Sequence, residues 1–478
     1  MKGLVLTYVI AALGTIGAFR RPLLGLYVYV GLAVLRPRFI FGWAGDLSNI
    51  SLIVGVAMLI GWALNGFGSW RMGRARPVVL SLFGFTAWYA LSASLAGNTD
   101  ASFTALLELL KIVMPFCVGL TMLDEEKQWR TLMWVIVLAQ GYVSFEMNLN
   151  YLSGYNSAAD GFGGMDNNCF GVALVTVLGL AMALMLTSQK WYERAAAVVS
   201  AALILHTALL TFSRGAMIGL LAVGATAFLA LPKRPKYIAG LVVTALLAVY
   251  YTGPQLMARY GTTFASADER DGSAQSRIDL WMDTIKVIQS QPLVGVGPAN
   301  WRFAASRFGW TDGKSAHSVW METAAEVGAP GTLALVLFFW IAAVRLWPLA
   351  RARITTDNRY QTAAAMGVLL SVVGFVVAGQ FVSVVGLEAP YYIVMIGVAV
   401  LRGTSKAQER PQQVTAGEGV SASSAPPVPP RLLPRLTPAR NLTPQPQSAT
   451  PRLLPGIEGA RRPIPPIRGA SAHSAPVD

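Results

Sequence analysis

The sequence predicts an all-α, polytopic integral membrane protein with about 12 to 13 transmembrane helices, one long and partly helical loop outside the membrane, and a disordered C-terminal tail. Of its 478 residues, 54% are hydrophobic and 13% are charged, whereas a soluble domain usually carries about 25% charged residues. Long apolar segments also recur from Gly3 to Arg402. Since nothing indicates a closed sheet, helices are the way for these segments to satisfy their backbone hydrogen bonds in lipid.

The apolar segments differ in length. Several are shorter than the roughly 20 residues that cross a bilayer as a helix, and for 23–35 a re-entrant or interfacial segment is the alternative. The first segment runs into Arg20-Arg21-Pro22 without a small-residue cleavage site, so we expect it to be retained. The predicted spans are 3–19, 23–35, 50–64, 78–96, 104–123, 131–147, 168–188, 195–212, 215–231, 237–252, 330–347, 362–384 and 389–401.

Basic residues collect in alternate connecting loops. By the positive-inside rule the loops rich in them are cytoplasmic, which places the long loop at about 252–316 outside and the C-terminus inside. The N-terminus lies outside if all the spans are real. Because the net charge of +14 follows topology in this way, it does not indicate nucleic-acid binding. The basic residues of the predicted cytoplasmic loops are Arg20, Arg21, Arg71, Arg74, Arg76, Lys127, Arg130, Lys190, Arg194, Lys233, Arg234, Lys236, Arg345, Arg351, Arg353 and Arg359.

We divide the chain into four regions. Residues 1–251 are N-terminal transmembrane helices, 252–316 the long loop, 317–402 a short helix followed by the C-terminal transmembrane helices, and 403–478 the tail. The tail holds 15 of the 27 prolines and almost no aromatic residues, so it cannot bury a core. We interpret it as a solvated cytoplasmic extension near anionic lipid, with partner binding as the alternative.

The long loop is too long and too aromatic to be a bare connector. Ser276 and Asp279 resemble a capping box that starts a helix, and Gln291-Pro292 ends it. A second short helix is predicted at 301–310. We expect the first helix to lie against the membrane surface, because it carries one apolar stripe, formed by Ile278, Trp281, Ile285 and Ile288.

Three residues outside the predicted cytoplasmic loops are the main candidates for binding an anion or accepting a proton. Arg214 lies at the outer end of a span and could bind a phosphate, with a snorkelling side chain as the alternative. Arg277 is expected in the first turn of the loop helix, where a cation opposes the helix dipole unless an anion is bound; a solvated arginine is the alternative. His317 begins a short helix ending at Gly328, where the dipole favours a neutral imidazole able to accept a proton. The alternative for His317 is a structural role.

Further residues are weaker candidates for substrate binding. Asn167 and Asn168 precede a span, where capping is the alternative. Lys111 lies inside a span, three residues after Glu108, and an intramembrane pair indicates function by default. The remaining candidates are Arg302, Arg307 and Glu322, the last on one helix face with Glu326. No constellation of metal ligands is present in the sequence, so we expect neither a metal nor another cofactor.

At three places the sequence resembles bacterial O-antigen ligases. His317-Ser318, nine residues, Gly328, two residues and Gly331 match their His-[Asn/Ser/Gln]-x9-Gly-x-x-[Gly/Thr/Tyr] signature. The segment 277–281 with 292–297, and the Ser-Arg-Gly at 213–215, look like their segments in the wider ligase and polymerase superfamily. The resemblance covers about residues 160–400, and the N-terminal spans are similar to O-glycosylation ligases associated with exosortase systems.

The resemblance implies a glycosyltransferase of the bacterial inner membrane whose active site faces the periplasm. The donor would be a polyprenyl-diphosphate-linked glycan, and the acceptor a hydroxyl of a lipid, glycan or protein. Arg214 and Arg277 would bind the diphosphate, and His317 would be the base that activates the hydroxyl. An O-antigen-type polymerase and a protein O-oligosaccharyltransferase remain alternatives. A lipid-linked glycan flippase or transporter is the non-enzyme alternative, although such proteins usually show internal repeats.

Overall fold

The computed structural model describes residues 2–44, 49–231, 272–311, 313–384 and 386–418, with scattered residues between 232 and 271. They belong to the first of two compact units, residues 1–419. The second unit, 420–478, holds most of the predicted tail and lies outside the described residues. Within the described ranges the regular structure is helical, and the β-pairing there is one isolated bridge between Phe162 and Met165.

Several of the described helices are joined by connections of four residues or fewer, which is typical of a bundle. Short 3₁₀ turns lie at Ser157–Ala159 and Gly379–Phe381. The described α-helices are α1 (Lys2–Arg20), α2 (Pro22–Leu35), α3 (Pro37–Ile40), α4 (Ile50–Leu64), α5 (Arg76–Ser94), α6 (Thr99–Met122), α7 (Glu126–Leu152), α8 (Asn167–Thr187), α9 (Trp191–Leu210), α10 (Arg214–Ala230), α11 (Gly272–Ser290), α12 (Trp301–Ser306), α13 (Val319–Ala350), α14 (Arg359–Ala378) and α15 (Glu388–Glu418).

The described chain is that of a multi-pass membrane protein. A helix occupies every predicted span except 237–252, of which only scattered, helical residues are described. Eight described helices are long and apolar enough to cross a membrane. Three shorter apolar helices, Pro22–Leu35, Ile50–Leu64 and Arg214–Ala230, accompany them. The eight are Gly3–Arg20, Gly73–Ser94, Thr99–Met122, Glu126–Leu152, Asn167–Thr187, Trp191–Leu210, Val319–Ala350 and Arg359–Phe381.

Helices α8 and α14 form the centre of the bundle. Most of their side chains are buried, and each is apolar around most of its circumference. They approach closely because small residues face each other, as is common between membrane helices. A Cβ atom on Gly179 would lie 2.5 Å from the carbonyl oxygen of Gly367, so a larger residue at 179 would push the helices apart.

The loops meet at two ends of the bundle. At the end formed by loops predicted to be cytoplasmic, Arg345 donates to the carbonyl of Arg74 at 2.7 Å, and Arg130 pairs with Glu193 at 2.8 Å. At the other end, the Asn98 N–H donates to Oδ1 of Asn300 at 2.9 Å. In each of these contacts the two residues come from segments that the sequence places on the same side of the membrane.

The long loop folds in part, as predicted, but its first helix differs in detail. Helix α11 begins at Gly272, so Ser276 lies inside it and the proposed cap is wrong. Ile278 and Ile285 are exposed, and the predicted stripe is therefore not the buried face. The buried side of the helix is formed by Leu280 and Val287, which belong to a small core with Trp301, Ala304, Ala305, Ala316 and Ala325. That the exposed stripe lies against the membrane surface stays a prediction.

Two other boundaries differ from the expectation. Helix α12 ends at Ser306 and is followed by a turn, so it is shorter than the helix predicted over 301–310. Helix α15 continues to Glu418, past Gly403, where we expected the tail to begin. Helix α12 is short because the N–H groups of Arg307, Phe308 and Gly309 donate to carbonyl groups three residues back and form turns.

Candidate active site

Helix α13 consists of two helical parts separated by a kink at Gly328. Gly328 has φ 70° and ψ −178°, a backbone conformation that is essentially restricted to glycine. Pro330 then opens the second part, where a missing N–H costs nothing. The short helix predicted to end at Gly328 is confirmed.

Side chains of α5 bind the carbonyl groups that the kink leaves without helical partners. The indole Nε1 of Trp88 donates to the carbonyl of Val327 at 3.0 Å. The hydroxyl of Ser92 donates to the carbonyl of Glu326 at 3.0 Å. Because buried backbone groups need partners, these contacts fix the kink against the neighbouring helix.

The turn 292–297 of the long loop packs directly on this kink. A Cβ atom on Gly328 would lie 2.1 Å from the carbonyl oxygen of Leu293. The two glycine-containing segments that stood out in the sequence therefore fit each other. Three backbone hydrogen bonds join them: Ala329 to the carbonyl of Pro292 at 2.8 Å, Val296 to that of Ala325 at 2.9 Å, and Gly297 to that of Glu326 at 2.8 Å.

His317 lies just before the first part of α13. It is half-buried and has φ 50°, so the chain turns sharply there. Ser318 is the N-cap, and its hydroxyl accepts the N–H of Met321 at 3.3 Å. Trp281 of α11 donates to the carbonyl of Ala316 at 2.9 Å. Helix α11 thus holds the chain in place next to His317.

The surroundings of His317 favour its neutral form. Burial lowers the pKa of His317 below the ordinary 6.5, the charges of Arg277 and Lys314 lower it further, and the charge of Asp166 partly opposes them. The expected direction is therefore found, but for a different reason. His317 precedes the N-cap, so burial and two cations lower its pKa, and the helix dipole is not the cause.

Arg277 also occupies a different position from the one predicted. It is the sixth residue of α11 and lies one turn before Trp281, so the argument from the helix dipole is wrong. Since residues four apart share one helix face, both side chains face the same part of the molecule. The turn that brings Trp281 to Ala316 brings Arg277 within electrostatic range of His317.

Arg214 begins α10 at the same end of the bundle. The hydroxyl of Ser213 caps the helix by accepting the N–H of Ala216 at 3.3 Å. The side-chain amide of Asn167, at the start of α8, donates to the carbonyl of Thr211 at 3.0 Å. Arg214 therefore stands where the first turns of α8 and α10 meet.

Glu322 connects this junction with the chain before His317. Its Oε2 atom accepts the N–H of Ala316 at 2.8 Å and also the hydroxyl of Ser383. Ser383 follows the turn 379–381, whose Phe381 packs on the Gly215 backbone: a Cβ atom added there would lie 2.8 Å from Cβ of Phe381. Sequence reasoning missed Ser383, which no motif marks, and did not connect Asp166 with His317.

Asp166 does cap α8, accepting the N–H of Cys169 at 2.7 Å, and it also lies within range of His317. Asn168 donates to Oδ1 of Asn167 at 3.1 Å. Lys111 pairs with Glu108 at 2.5 Å, with both side chains more than half exposed. The described contacts of Lys111 do not connect it with His317.

Arg302 and Arg307 are both exposed. Arg302 stands over the ring of Phe303 at 4.7 Å, and Arg307 follows the last residue of α12. Among the described residues, His, Cys, Asp and Glu side chains nowhere come together in a group of three that could hold a metal ion.

Comparison with known families agrees with the resemblance found in the sequence. Residues 199–337 match the family model described as O-antigen ligase, a range that contains Arg214, Arg277, His317 and the kink at Gly328. This segment of the chain is similar to the O-antigen ligase family. The matched segment runs from α9 into the second part of α13 and so includes the long loop. Residues 1–166 match a family of unknown function, and no curated protein matches the chain.

The match to the O-antigen ligase family model associates this segment with membrane-bound glycan ligation or polymerisation. The superfamily match ends before α14, yet Ser383 after that helix contacts Glu322 within the match. The junction around His317 therefore includes residues on both sides of the matched segment.

Proposed function

We propose that the protein transfers a glycan from a polyprenyl-diphosphate-linked donor to an acceptor hydroxyl at the periplasmic face of the bacterial inner membrane. The observation that carries this proposal is the half-buried His317 in range of Arg277. An imidazole whose pKa is lowered, within electrostatic range of a cation, suits a reaction in which a hydroxyl loses a proton while an anion departs.

In the proposed step, the acceptor oxygen attacks the anomeric carbon of the donor glycan. The bond from that carbon to the diphosphate oxygen breaks, and its electron pair leaves with the diphosphate. The ring nitrogen of His317 takes the hydroxyl proton, a contribution typically worth about 10²–10⁴ in rate. Attack opposite the diphosphate would invert the anomeric centre.

Arg214 and Arg277 are the proposed diphosphate ligands. The leaving group gains negative charge in the transition state, so positioned cations lower the barrier, and a guanidinium can offer two parallel N–H donors to phosphate oxygens. Arg214 begins α10, where the helix dipole also favours an anion. Both arginines lie at the end of the bundle that holds the long loop.

A transfer assay on purified protein tests these roles, with a polyprenyl-diphosphate-linked glycan and candidate acceptors. His317→Ala should abolish transfer and leave donor binding largely intact. Arg214→Ala and Arg277→Ala should weaken both donor binding and turnover. Arg38→Ala is the control, because it removes the same charge from an exposed position in the short helix α3 and has no role in the proposed step.

Normal transfer by the His317 variant would refute the proposed base. Unchanged donor affinity in both arginine variants would refute the diphosphate site. Transfer should survive a strong chelator, since we propose no metal; complete loss that magnesium restores would contradict this. Lipid, glycan and protein acceptors offered in parallel distinguish a ligase from a polymerase and from a protein glycosyltransferase.

A further inference from the structure

A small cavity opens at the end of the bundle whose loops are predicted to be cytoplasmic. Its volume is about 250 Å³, below the range of about 300–1,000 Å³ that encloses a whole small molecule. It lies between the end of α8, the loop before α14 and the first turns of α14. The first turn of α8 belongs to the candidate active site, so the length of that helix, about 30 Å, separates the two places.

One part of the cavity lining is polar and basic. The guanidinium of Arg359 and the hydroxyls of Thr355 and Thr356 line it. Arg359 donates one N–H to the carbonyl of Thr187 at 3.1 Å, and a guanidinium has five N–H donors. The Thr355 hydroxyl accepts the N–H of Asn358 at 3.4 Å and can still donate its own proton. The described residues that line the cavity include no carboxylate, so it offers positive charge and hydrogen-bond donors to a ligand.

Further arginines lie close to this cavity. Arg194 donates to the carbonyl of Ser188 at 3.0 Å, next to the carbonyl that Arg359 binds. Arg130 and Arg359 both stand over the ring of Tyr360, at 4.7 and 5.2 Å from its centroid. Like charges repel when they are held this close, and a bound anion would reduce that cost.

The acidic residues of the two loops do not cancel this charge. Segments 188–194 and 351–359 together carry five basic and two acidic residues. Of the two, Glu193 pairs with Arg130 at 2.8 Å, and Asp357 is exposed and does not line the cavity. Arg194 and Arg359 also bind the last carbonyls of α8, as cations at a helix C-terminus do. In the described contacts this role uses one N–H of each, so Arg359 can bind an anion as well.

The other part of the lining is apolar. It is formed by Leu186, Ile354 and Ala363, and Ile354 is exposed. Trp191 and Tyr192, which begin α9 just after the end of α8, are also exposed. Aromatic residues at the end of a membrane helix are typical of the level of the lipid headgroups. The cavity therefore combines apolar surface and positive charge at that level.

An anionic phospholipid fits both parts of the lining. Its phosphate can accept from Arg359, because a guanidinium can offer two parallel N–H donors to phosphate oxygens. Its other polar oxygens can accept from the hydroxyls of Thr355 and Thr356, and its acyl chains can pack on the apolar residues. A free phosphate would use the charge alone and leave the apolar lining against water. Basic pockets between membrane helices on the cytoplasmic side commonly bind such headgroups.

We propose that this cavity binds the headgroup of an anionic phospholipid from the leaflet predicted to be cytoplasmic, with Arg359 holding its phosphate and Thr355 and Thr356 binding its polar oxygens. The inference does not depend on the proposed transfer reaction. The bound lipid would connect the end of α8 with the loop before α14 and so stabilise the contact between the two central helices of the bundle.

Lipid binding to the purified full-length protein in a neutral detergent tests the proposal, with native mass spectrometry as the measurement. The probes are short-chain phosphatidylglycerol, short-chain phosphatidylcholine and inorganic phosphate, each titrated separately. Phosphatidylglycerol should bind about tenfold or more tightly than either of the other two, because it alone combines net negative charge with acyl chains.

Two substitutions in the cavity and two controls locate the site. Thr356→Asp should lower the affinity for phosphatidylglycerol about tenfold or more, because it adds a carboxylate that competes for Arg359 at an exposed position. Thr356→Asn has nearly the same shape and should change the affinity by less than about threefold. Arg359→Gln should lower it about tenfold or more, because it removes a charged hydrogen-bond donor. Arg71→Gln removes a charge from an exposed position of another predicted cytoplasmic loop and should change it by less than about twofold.

Equal affinity for phosphatidylglycerol and phosphatidylcholine would overturn the proposal, since the cavity would then not recognise the negative charge. Inorganic phosphate that binds as tightly as phosphatidylglycerol would assign the cavity to a free anion and overturn the lipid site. Unchanged affinity in both Thr356→Asp and Arg359→Gln would show that the lipid binds elsewhere. Because Thr356 is exposed, its two variants decide the question even if Arg359→Gln does not fold.

Discussion

The contact between Gly328 and the turn 292–297 leads to a quantitative prediction. In Gly328→Ala the new Cβ atom would lie 2.1 Å from the carbonyl oxygen of Leu293 at φ 70°. The backbone conformation alone costs about 1–3 kcal/mol for a residue other than glycine. The clash also displaces the turn and with it three backbone hydrogen bonds, each worth about 0.5–1.5 kcal/mol.

Gly309→Ala is the matched control for this prediction. Gly309 has φ 83°, and a Cβ atom added there meets nothing within 4 Å, so the substitution introduces backbone strain without a clash. We expect Gly328→Ala to lower the free energy of unfolding by at least about 1.5 kcal/mol more than Gly309→Ala does, since only the former breaks the three hydrogen bonds.

The measurement is reversible denaturant unfolding in mixed detergent micelles, followed by tryptophan fluorescence. Transfer activity gives a second readout, because the turn and the kink lie beside the candidate active site. If the two variants unfold with the same free energy, or if Gly328→Ala matches the wild-type protein, then the packing of the turn on the kink does not stabilise the fold as argued.

Three further predictions follow from described contacts. Lys314→Gln should move the acidic limb of kcat to higher pH, because it removes a charge that lowers the pKa of His317; pH profiles at saturating substrates measure this, and an unmoved limb would contradict it. Glu322→Ala should lower kcat about tenfold or more, because it leaves a buried N–H at Ala316 without its partner, and Glu322→Gln should restore much of the rate. Arg402→Ala should lower the free energy of unfolding by about 2–3 kcal/mol, because Arg402 is buried and its partner Asp124 is one-third exposed. Breaking a fully buried ion pair would cost more. A free energy of unfolding equal to that of the wild-type protein would refute this.

The sequence predicted the helices well where an apolar run is long, because the bilayer fixes the length and the composition of a span. It also placed the end of the short helix at Gly328, since glycine followed by proline indicates a break. In the long loop it did not predict which face of α11 is buried. There Leu280 and Val287 are buried against other loop segments, and a periodic pattern shows which residues share a face but not which face is covered.

The sequence named candidate residues for the site but did not predict their arrangement. His317, Arg277 and Arg214 stood out by residue type and position, and the resemblance to a known family gave their roles. The link between Glu322 and Ser383 joins residues 61 positions apart, and no local pattern encodes such a contact. The cause of the lowered His317 pKa also depends on burial and on Lys314, which appear only once the chain is folded.

The charges around His317 also predict how donor binding affects the base. In the free protein the cation of Arg277 helps to lower the pKa of His317. A diphosphate bound to Arg277 would offset that positive charge, so the pKa of His317 should rise in the donor complex and its basicity with it. The profile of kcat/KM for the donor reports the free protein, and that of kcat reports the complex. The acidic limb of kcat should therefore lie at higher pH than that of kcat/KM, and coincident limbs or the reverse order would contradict a diphosphate bound at Arg277.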